Sequence, residues 1–461
     1  MPGTARLSLD QARAATEIAT SGRRLDVLVG PAGTGKTRTL FALRAAWELT
    51  HGPGSVIGLA PSATAAAQLA LSLRIPADTV AKWIHEADPA TAGGNPWRFR
   101  AGQLVLVDEA AMAPTDHLDR LVSQAAAAGA KVVLVGDHCQ LGAVEAGGAF
   151  ALLAGEGHAV ELDQLHRFTE DWEAAATRQL RVGDTACLEV YAAHGRLRDG
   201  SSEAMLEAAY RAWAGDLAAG RHSLLLAAHH GTVTALNQRA RADRIRAGHV
   251  QPDAEVALHD GTVAGRGDLV LTRRSQRRLQ RPDGGYVRNG DQWRVGAVHP
   301  DGAVDVTPVT SDGASQGAIV RLPADYVRDH VELGYALTVH RAQGVTADTT
   351  HLVADTRMSR EALYVGLTRG RHANHGYIAT DTAGVEAHTD VDDPTGRQIL
   401  EAILRTSAAR TSATSALRHR QTEHVLALSR AGQWPPPEAA PARSLHARPS
   451  YRPPPAAGIT R

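Results

Sequence analysis

Residues 25–37, Leu-Asp-Val-Leu-Val-Gly-Pro-Ala-Gly-Thr-Gly-Lys-Thr, run an apolar, β-rich segment straight into a loop of the form G-x-x-x-x-G-K-[ST]. The spacing puts Gly30, Pro31, Ala32, Gly33, Thr34 and Gly35 in a turn whose backbone N–H groups can close around phosphate oxygens. Lys36 then reaches the β- and γ-phosphates, the Thr37 hydroxyl is placed to ligate Mg²⁺, and the next helix adds its positive N-terminus. Of the 49 Lys and Arg residues only Lys36, Lys82 and Lys131 are lysine, so arginine is the default base of this chain. A compact ammonium fits between phosphates where a planar guanidinium does not, which is a physical reason for the exception at position 36.

Carboxylates follow at the expected place. Gln103–Val107 reads as a buried strand ending in Asp108-Glu109, and residues at the carboxyl end of a parallel strand face the crevice that the phosphate loop lines. Asp108 is expected to hold Mg²⁺, usually through water, and Glu109 to orient or deprotonate the attacking water. Lys131–Val135 is a further strand, and Gln140 just beyond it is placed to sense the γ-phosphate or its water. Gln11 sits on the first turn of a helix over 7–21 capped by Ser8. Its amide matches the N6 and N7 edge of adenine, and any glutamine at a helix start looks the same.

The elements that must position these groups alternate strand and helix through about residue 150, which predicts a doubly wound α/β sheet. Ser55–Ala60 is a short strand ending in Pro61-Ser62-Ala63-Thr64 before a helix to about Leu73. Pro61, Ser62 and Thr64 form either a phosphate platform for DNA or an ordinary helix cap. Trp83 on the next helix belongs to the core or to a base-stacking surface. Residues 186–220 read as helical, and a strand at Ser223–Ala228 opens a second α/β unit at His229-His230. Those adjacent side chains diverge without a supporting Cys or carboxylate cluster, which speaks against a metal site.

At 461 residues the chain has material for two to four domains, and its zero formal charge leaves any nucleic-acid surface local. The densest basic stretch is 273–281, with five arginines in nine residues, including Arg273 and Arg274. It is a solvated face or a track for backbone phosphates. Cys139 and Cys187 make no disulfide framework, which points to a reducing cytoplasm, and no apolar run approaches the length of a membrane span.

GPAGTGKT, APSATA, VDEAAM and GDHCQL, in this order, resemble motifs I, Ia, II and III of superfamily 1 DNA helicases of the RecD-like, 5′-to-3′ branch. Leu165-His166-Arg167-Phe168, Trp172-Glu173 and Leu180-Arg181-Val182-Gly183-Asp184 look like the helicase half of MobF-type conjugative relaxases of the TraA/TrwC/TraI kind. Arg167 matches that family's motif IV arginine. Leu333–Gly344 resembles motif V, whose Thr338, His340 and Gln343 would lie between DNA backbone and nucleotide. Glu361–Arg371 resembles motif VI, with Gly366 where the family more often has alanine, and makes Arg369 the arginine finger. The family usually reads Thr-Arg-Arg-Asn-Asp where this chain has Ser275 and Gln276.

The resemblance covers roughly residues 7–380. It implies two RecA-like P-loop NTPase domains, 1–165 and 166–390, with a small SH3-like β-barrel inserted at about 293–330. A helical appendage would follow at 391–433 and a disordered, proline-rich tail at 434–461, where eight prolines fall in 28 residues. Only about Asp88–Arg100 is available for a strand-separating pin. The implied function is an ATP- and Mg²⁺-dependent motor on single-stranded DNA, in conjugative transfer or repair, with a relaxase or other conjugation proteins as partners. Two readings compete: the motor fragment of a relaxase, without the histidine and tyrosine chemistry of nicking, and a non-motor P-loop ATPase or DNA-binding remnant.

Overall fold

Strands that must be covered on both faces need near-continuous apolar runs, and the first third of the chain supplies them. In the computed structural model, which describes residues 6–87, 97–143, 146–282, 284–310, 317–381, 394–409, 412–418 and 420, these runs form one sheet. Its strands are β1 (Leu25–Val29), β2 (Val56–Ala60), β3 (Ala77–Thr79), β4 (Leu104–Val107), β5 (Lys131–Gly136) and β6 (Ala159–Glu161). The order is β3-β2-β4-β5-β1-β6 and every pairing is parallel. Alternate side chains go to opposite faces. Leu28, Leu104, Leu106, Val133 and Val135 pack under Ala14, Ile18, Leu40, Leu43 and Leu69 of three helices. Val27, Val29, Val105, Val107 and Leu134 meet Trp83, Leu118 and Leu121 on the other side. Trp83 is therefore core, stacked on Phe99 with ring centroids 4.5 Å apart.

A second parallel sheet is built from β7 (Leu197–Gly200), β8 (Ser223–Ala227), β18 (Ala336–Thr338), β19 (Ala347–Ala354) and β20 (Gly370–Ala379), in the order β18-β8-β19-β20-β7. β7 corrects the helical expectation for 186–220, which is two helices, Ala186–Ala193 and Ser202–Ala218, with a strand between. Its Leu-Arg-Asp-Gly sequence carries no apolar run because it pairs on one side only, with β20. The helix Gly396–Arg405, expected in an appendage, lies in the core: Ile399, Leu400, Ile403 and Leu404 pack in one cluster with Leu352 and Leu363.

Between β8 and β18 the chain turns antiparallel. β9 (Gln251–Ala257) pairs with β10 (Val263–Arg266), and β12 (Gln276–Gln280) with β13 (Tyr286–Val287). β11 (Leu269–Thr272), β14 (Gln292–Val298), β15 (Val304–Pro308), β16 (Val320–Leu322) and β17 (Val331–Leu333) make a five-stranded sheet in the order β16-β15-β14-β11-β17. This antiparallel region begins well before position 293, because β11 lies between β14 and β17 and completes the sheet. The Asp301-Gly302 turn is present, with Gly302 at φ 84°. The Asp-Gly pair at 312–313, residues 88–96 of the expected pin and the tail at 434–461 lie outside the described residues.

Met1–Ser412 forms one compact unit, which contains both parallel sheets, and Ala413–Arg461 falls in another. Among the described residues no helix is long and apolar enough to cross a membrane. Trp293 is 0% exposed, donates its indole N–H to the Thr272 hydroxyl at 3.3 Å, and shares a core with Val353 and Tyr377 of the second parallel sheet. Trp293→Ala should lower stability by about 3–5 kcal/mol in urea unfolding. A loss below about 1 kcal/mol would mean that this core does not depend on the indole.

Candidate nucleotide site between the two parallel sheets

The phosphate loop leaves β1 beside β5, where the Gly30 N–H donates to the Gly136 carbonyl at 2.9 Å. Gly33 and Gly35 have φ of 92° and 77°, the left-handed region that a side chain strains. Space also demands glycine: a Cβ on Gly33 would come 2.6 Å from the Arg167 Cβ, and one on Gly30 would come 2.7 Å from the Lys36 Cγ. The helix Lys36–His51 starts with no side chain capping it, so its first N–H groups face the loop. The Lys36 ammonium donates to the Gly30 carbonyl at 2.7 Å, and Thr37 is exposed on the first turn. Pro31 and Ala32 are buried, and the Thr34 hydroxyl donates to the Pro31 carbonyl at 3.0 Å.

Gln11 is buried and acts here as a brace. Its amide donates to the Thr34 carbonyl at 2.9 Å, and its carbonyl oxygen accepts from the Ser8 N–H at 3.2 Å in a capping box. Both ends of the amide are engaged by the protein, so the geometry gives adenine reading no separate support.

Asp108 and Glu109 leave β4 at the same edge of the sheet. Asp108 is half-buried; loss of solvent and the neighbouring Glu109 charge raise its carboxyl to about 6, against the pull of Lys36. Glu109 has φ 50°, an unusual value for a residue with a side chain, which turns the chain sharply into the short helix Ala110–Met112. Its carboxylate accepts from the Gln343 amide at 3.3 Å, a contact between the two sheets.

The second sheet contributes charge of the opposite sign. Arg369 is 2% exposed; its Nε donates to the Val365 carbonyl and its Nη2 to the Thr368 hydroxyl, both at 2.9 Å. Among the described residues it makes no ion pair. Burial pulls its pKa down, offset by Tyr364, Glu109 and Asp137. Arg167 donates to the Thr368 carbonyl, and burial together with the nearby Arg369 lowers it to about 9. Its chain is held over the phosphate loop because the His166 N–H donates to the Gly33 carbonyl at 2.8 Å. Lys36, Arg167 and Arg369 thus stand around one loop whose own backbone already favours anions.

Gln140 is buried and donates its amide to Asp137 at 3.3 Å. Asp137, Tyr364 and Arg181 lie within the motif stretches and also stand at this place, with no role that the sequence alone gives them. The Asp137 carboxylate accepts from Arg181 at 3.0 and 3.1 Å and from the Tyr364 hydroxyl at 3.0 Å, and that hydroxyl accepts from the Ala32 N–H at 3.0 Å. The rule that singled out Asp108 applies equally to Asp137, which follows β5 directly.

The expected DNA contacts divide. Ser62 caps the helix Ala63–Leu73 through the Ala65 N–H at 3.1 Å, with Pro61 just before it. The Thr64 hydroxyl donates to the Asn289 carbonyl at 2.7 Å, and the Asn289 N–H donates to the Ser275 hydroxyl at 3.1 Å. Ser275, where the family pattern differs, therefore makes a local bond next to Arg274. Arg273 and Arg341 share Glu332 at 3.4 and 3.2 Å, which ties the arginine stretch to the segment of Thr338, His340 and Gln343. Arg274 and His340 are exposed and Thr338 is buried. Gly366 has a steric reason: a Cβ there would meet Leu352 at 2.7 Å. Among the described residues no cluster of His, Cys, Asp or Glu has the form of a metal site, His229 and His230 included.

Two parallel sheets, one ending in a P-loop and the other carrying a buried arginine joined to it through Arg167, make a two-lobed P-loop core. Comparison with known proteins narrows the class. Residues 6–202 match the AAA domain family and residues 333–374 the UvrD-like helicase C-terminal domain. The chain is 29% identical over 381 residues to the conjugal transfer protein TraA of Rhizobium radiobacter, covering 80% of this chain and 32% of TraA. It is 29% identical over 416 residues to the RecBCD enzyme subunit RecD of Mycolicibacterium smegmatis, covering 80% and 72%. The Bacteroides Pif1 helicase solved with ADP-AlF3 and ssDNA has the same fold, with a TM-score of 0.53 and 16% identity over 91% of this chain and 98% of that one. These similarities support a RecD-like superfamily 1 helicase related to TraA, of whose length the chain spans about a third.

The raised Asp108 carboxyl carries a stability consequence. The folded state holds its proton to about pH 6 and the unfolded state only to about 4, so stability falls as pH rises through that window. Asp108→Asn should therefore stabilise the nucleotide-free chain at pH 7.5 by on the order of 1 kcal/mol, with the gain fading toward pH 4.5. Urea unfolding of both proteins at the two pH values tests this; an equal gain at both would show that the carboxylate charge is not the cause.

Proposed function

We propose that this chain is an ATP-dependent motor on single-stranded DNA, with 5′-to-3′ travel and a role in conjugative DNA transfer. The observation that carries the reading is Arg369, a buried guanidinium that makes no ion pair among the described residues, beside a P-loop on the opposite sheet. A permanently charged group so placed can stabilise the charge that spreads over the γ-phosphoryl oxygens, and only while the two lobes are together. Hydrolysis then depends on closure. The two RecA-like lobes would alternate their grip on the strand.

In this reading Gly30, Pro31, Ala32, Gly33, Thr34 and Gly35 cradle the phosphates, Lys36 contacts the β- and γ-phosphates, and Arg167 and Arg369 answer the developing charge. Glu109 orients the attacking water and takes its proton, and Gln140 registers the γ-phosphate by leaving Asp137. Gln11 fixes the loop, and the adenine edge remains within the role proposed for it. The glycine geometry, the uncapped helix start and the adjacent carboxylate fit a nucleotide with Mg²⁺, which Thr37 and Asp108 would hold. When bound, that ion would supply positive charge that offsets the charge of the phosphates. Pro61, Ser62, Thr64, Arg273, Arg274, Thr338, His340 and Gln343 would line the strand's path. The antiparallel region is read as an SH3-like barrel beside that path.

TraA is a conjugal transfer protein, which supports the place in conjugation and leaves this chain as the motor portion of a relaxase-like system. Free thiols at Cys139 and Cys187 suit the cytoplasm.

ATP turnover measured with and without single-stranded DNA tests the motor: stimulation is expected, and DNA-indifferent turnover would favour a non-motor ATPase. Lys36→Ala should abolish hydrolysis while single-strand binding stays largely intact; normal turnover in that variant would remove the site assignment. Arg369→Ala should bind nucleotide and hydrolyse it about 10³-fold more slowly. A change in affinity alone would sink the finger.

A further inference from the structure

The Tyr364 hydroxyl stands where the two lobes touch the phosphate loop. It accepts from the Ala32 N–H of the loop and donates to Asp137 at the end of β5, each at 3.0 Å. Tyr364 is 0% exposed and Asp137 1%. Asp137 is held from the second lobe a second time, by Arg181 on the helix Asp171–Val182, and from its own loop by Gln140 and the Cys139 N–H at 3.2 Å. One buried carboxylate of the first lobe thus fastens a phenol and a guanidinium of the second.

What hangs from Tyr364 gives this clasp its meaning. The Thr368 hydroxyl donates to the Tyr364 carbonyl at 2.7 Å and accepts from Arg369, while Arg369 also donates to the Val365 carbonyl. Arg167 donates to the Thr368 carbonyl. Both cleft arginines are therefore attached to residues 364–369, and among the described residues the direct hydrogen bond from that segment to the phosphate loop is made by the Tyr364 hydroxyl, beside the indirect link through Arg167 and His166. A buried tyrosine usually finds a partner for its O–H, and any carbonyl nearby would have served. Here the partners are a P-loop amide and the residue that Gln140 also holds.

We propose that Tyr364 is a positioning residue for ATP hydrolysis: its hydroxyl, shared between Ala32 and Asp137, sets the register of Arg369 and Arg167 against the phosphate loop. The inference rests on the site being an ATPase site. The hydroxyl touches neither substrate nor reacting atoms; it acts through the arginines. Displacement of Gln140 or Ala32 when the loop changes shape would be felt at Tyr364 and so at Arg369.

Tyr364→Phe removes one oxygen and keeps the ring that fills the core. In the nucleotide-free chain, hydrogen exchange of the peptide over residues 30–37 should quicken in the variant. In steady-state assays kcat should fall about tenfold, with KM for ATP within about twofold of the parent and the thermal midpoint little changed. Asp137→Asn should lower kcat as well, and the double variant should be no worse than the weaker single one, since both substitutions break one connection. Unchanged exchange at 30–37 overturns the clasp. So does an unchanged kcat, a fully additive double variant, or a kcat loss that merely follows a lower thermal midpoint. Should the parent chain itself fail to hydrolyse ATP, the ATPase reading falls, and the exchange measurement still decides whether the hydroxyl holds the loop.

Discussion

A buried guanidinium with no carboxylate in direct contact is costly to a folded chain, and among the described residues Arg369 is such a group, with the charges of Glu109 and Asp137 only near it. Two hydrogen bonds to Val365 and Thr368 keep it from being orphaned, yet neither partner carries charge. Arg167 nearby makes matters worse, since two cations repel each other across a space from which water is largely excluded. Lys36 adds a third cation at the loop. Asp108, Glu109 and Asp137 stand among these cations and offset part of their charge.

The same tension is written on the other side of the cleft. Asp108 is held where its charge is disfavoured, and Glu109 sits at a backbone angle that few side chains adopt. Strain and unpaired charge at one place need support elsewhere. The two fully covered parallel sheets give it, with apolar packing on both faces of the first and the Gly396–Arg405 helix built into the core of the second. Stability is invested in the sheets, and the strained and charged groups stand in the loops at their carboxyl ends.

Contacts between the lobes are of two kinds. Those at the phosphate loop are buried or half-buried and specific: Tyr364 and Arg181 with Asp137, Gln343 with Glu109, Arg167 over Gly33. Those farther out are exposed, such as Thr64 with the Asn289 carbonyl and Arg277 with Asp78 at 3.2 Å. Exposed ion pairs contribute little and exchange readily for other partners, including phosphates. A cleft with a firm inner contact and a loose outer one is suited to small, repeated changes at its rim.

Much of this was legible in the sequence for a definite reason. A P-loop depends on local backbone geometry, so Gly30–Thr37 declare themselves by spacing, and buried parallel strands declare themselves by apolar runs, so Asp108 and Glu109 could be placed at a strand end. Edge strand β7 escaped because a strand paired on one side needs no apolar run, and the antiparallel sheet was entered late because β11 looks no different from a buried parallel strand. What no local pattern contains is a distance between residues far apart in the chain. The sequence by itself determined the phosphate loop, the strand-end carboxylates and the arginines able to oppose them. Only the tertiary structure decided that Ala32, Asp137 and Tyr364 share one hydroxyl, that Gln11 braces Thr34, and that Arg369 is buried with neutral hydrogen-bond partners among the described residues. Such facts come from two lobes packing face to face, and packing is a property of the whole chain.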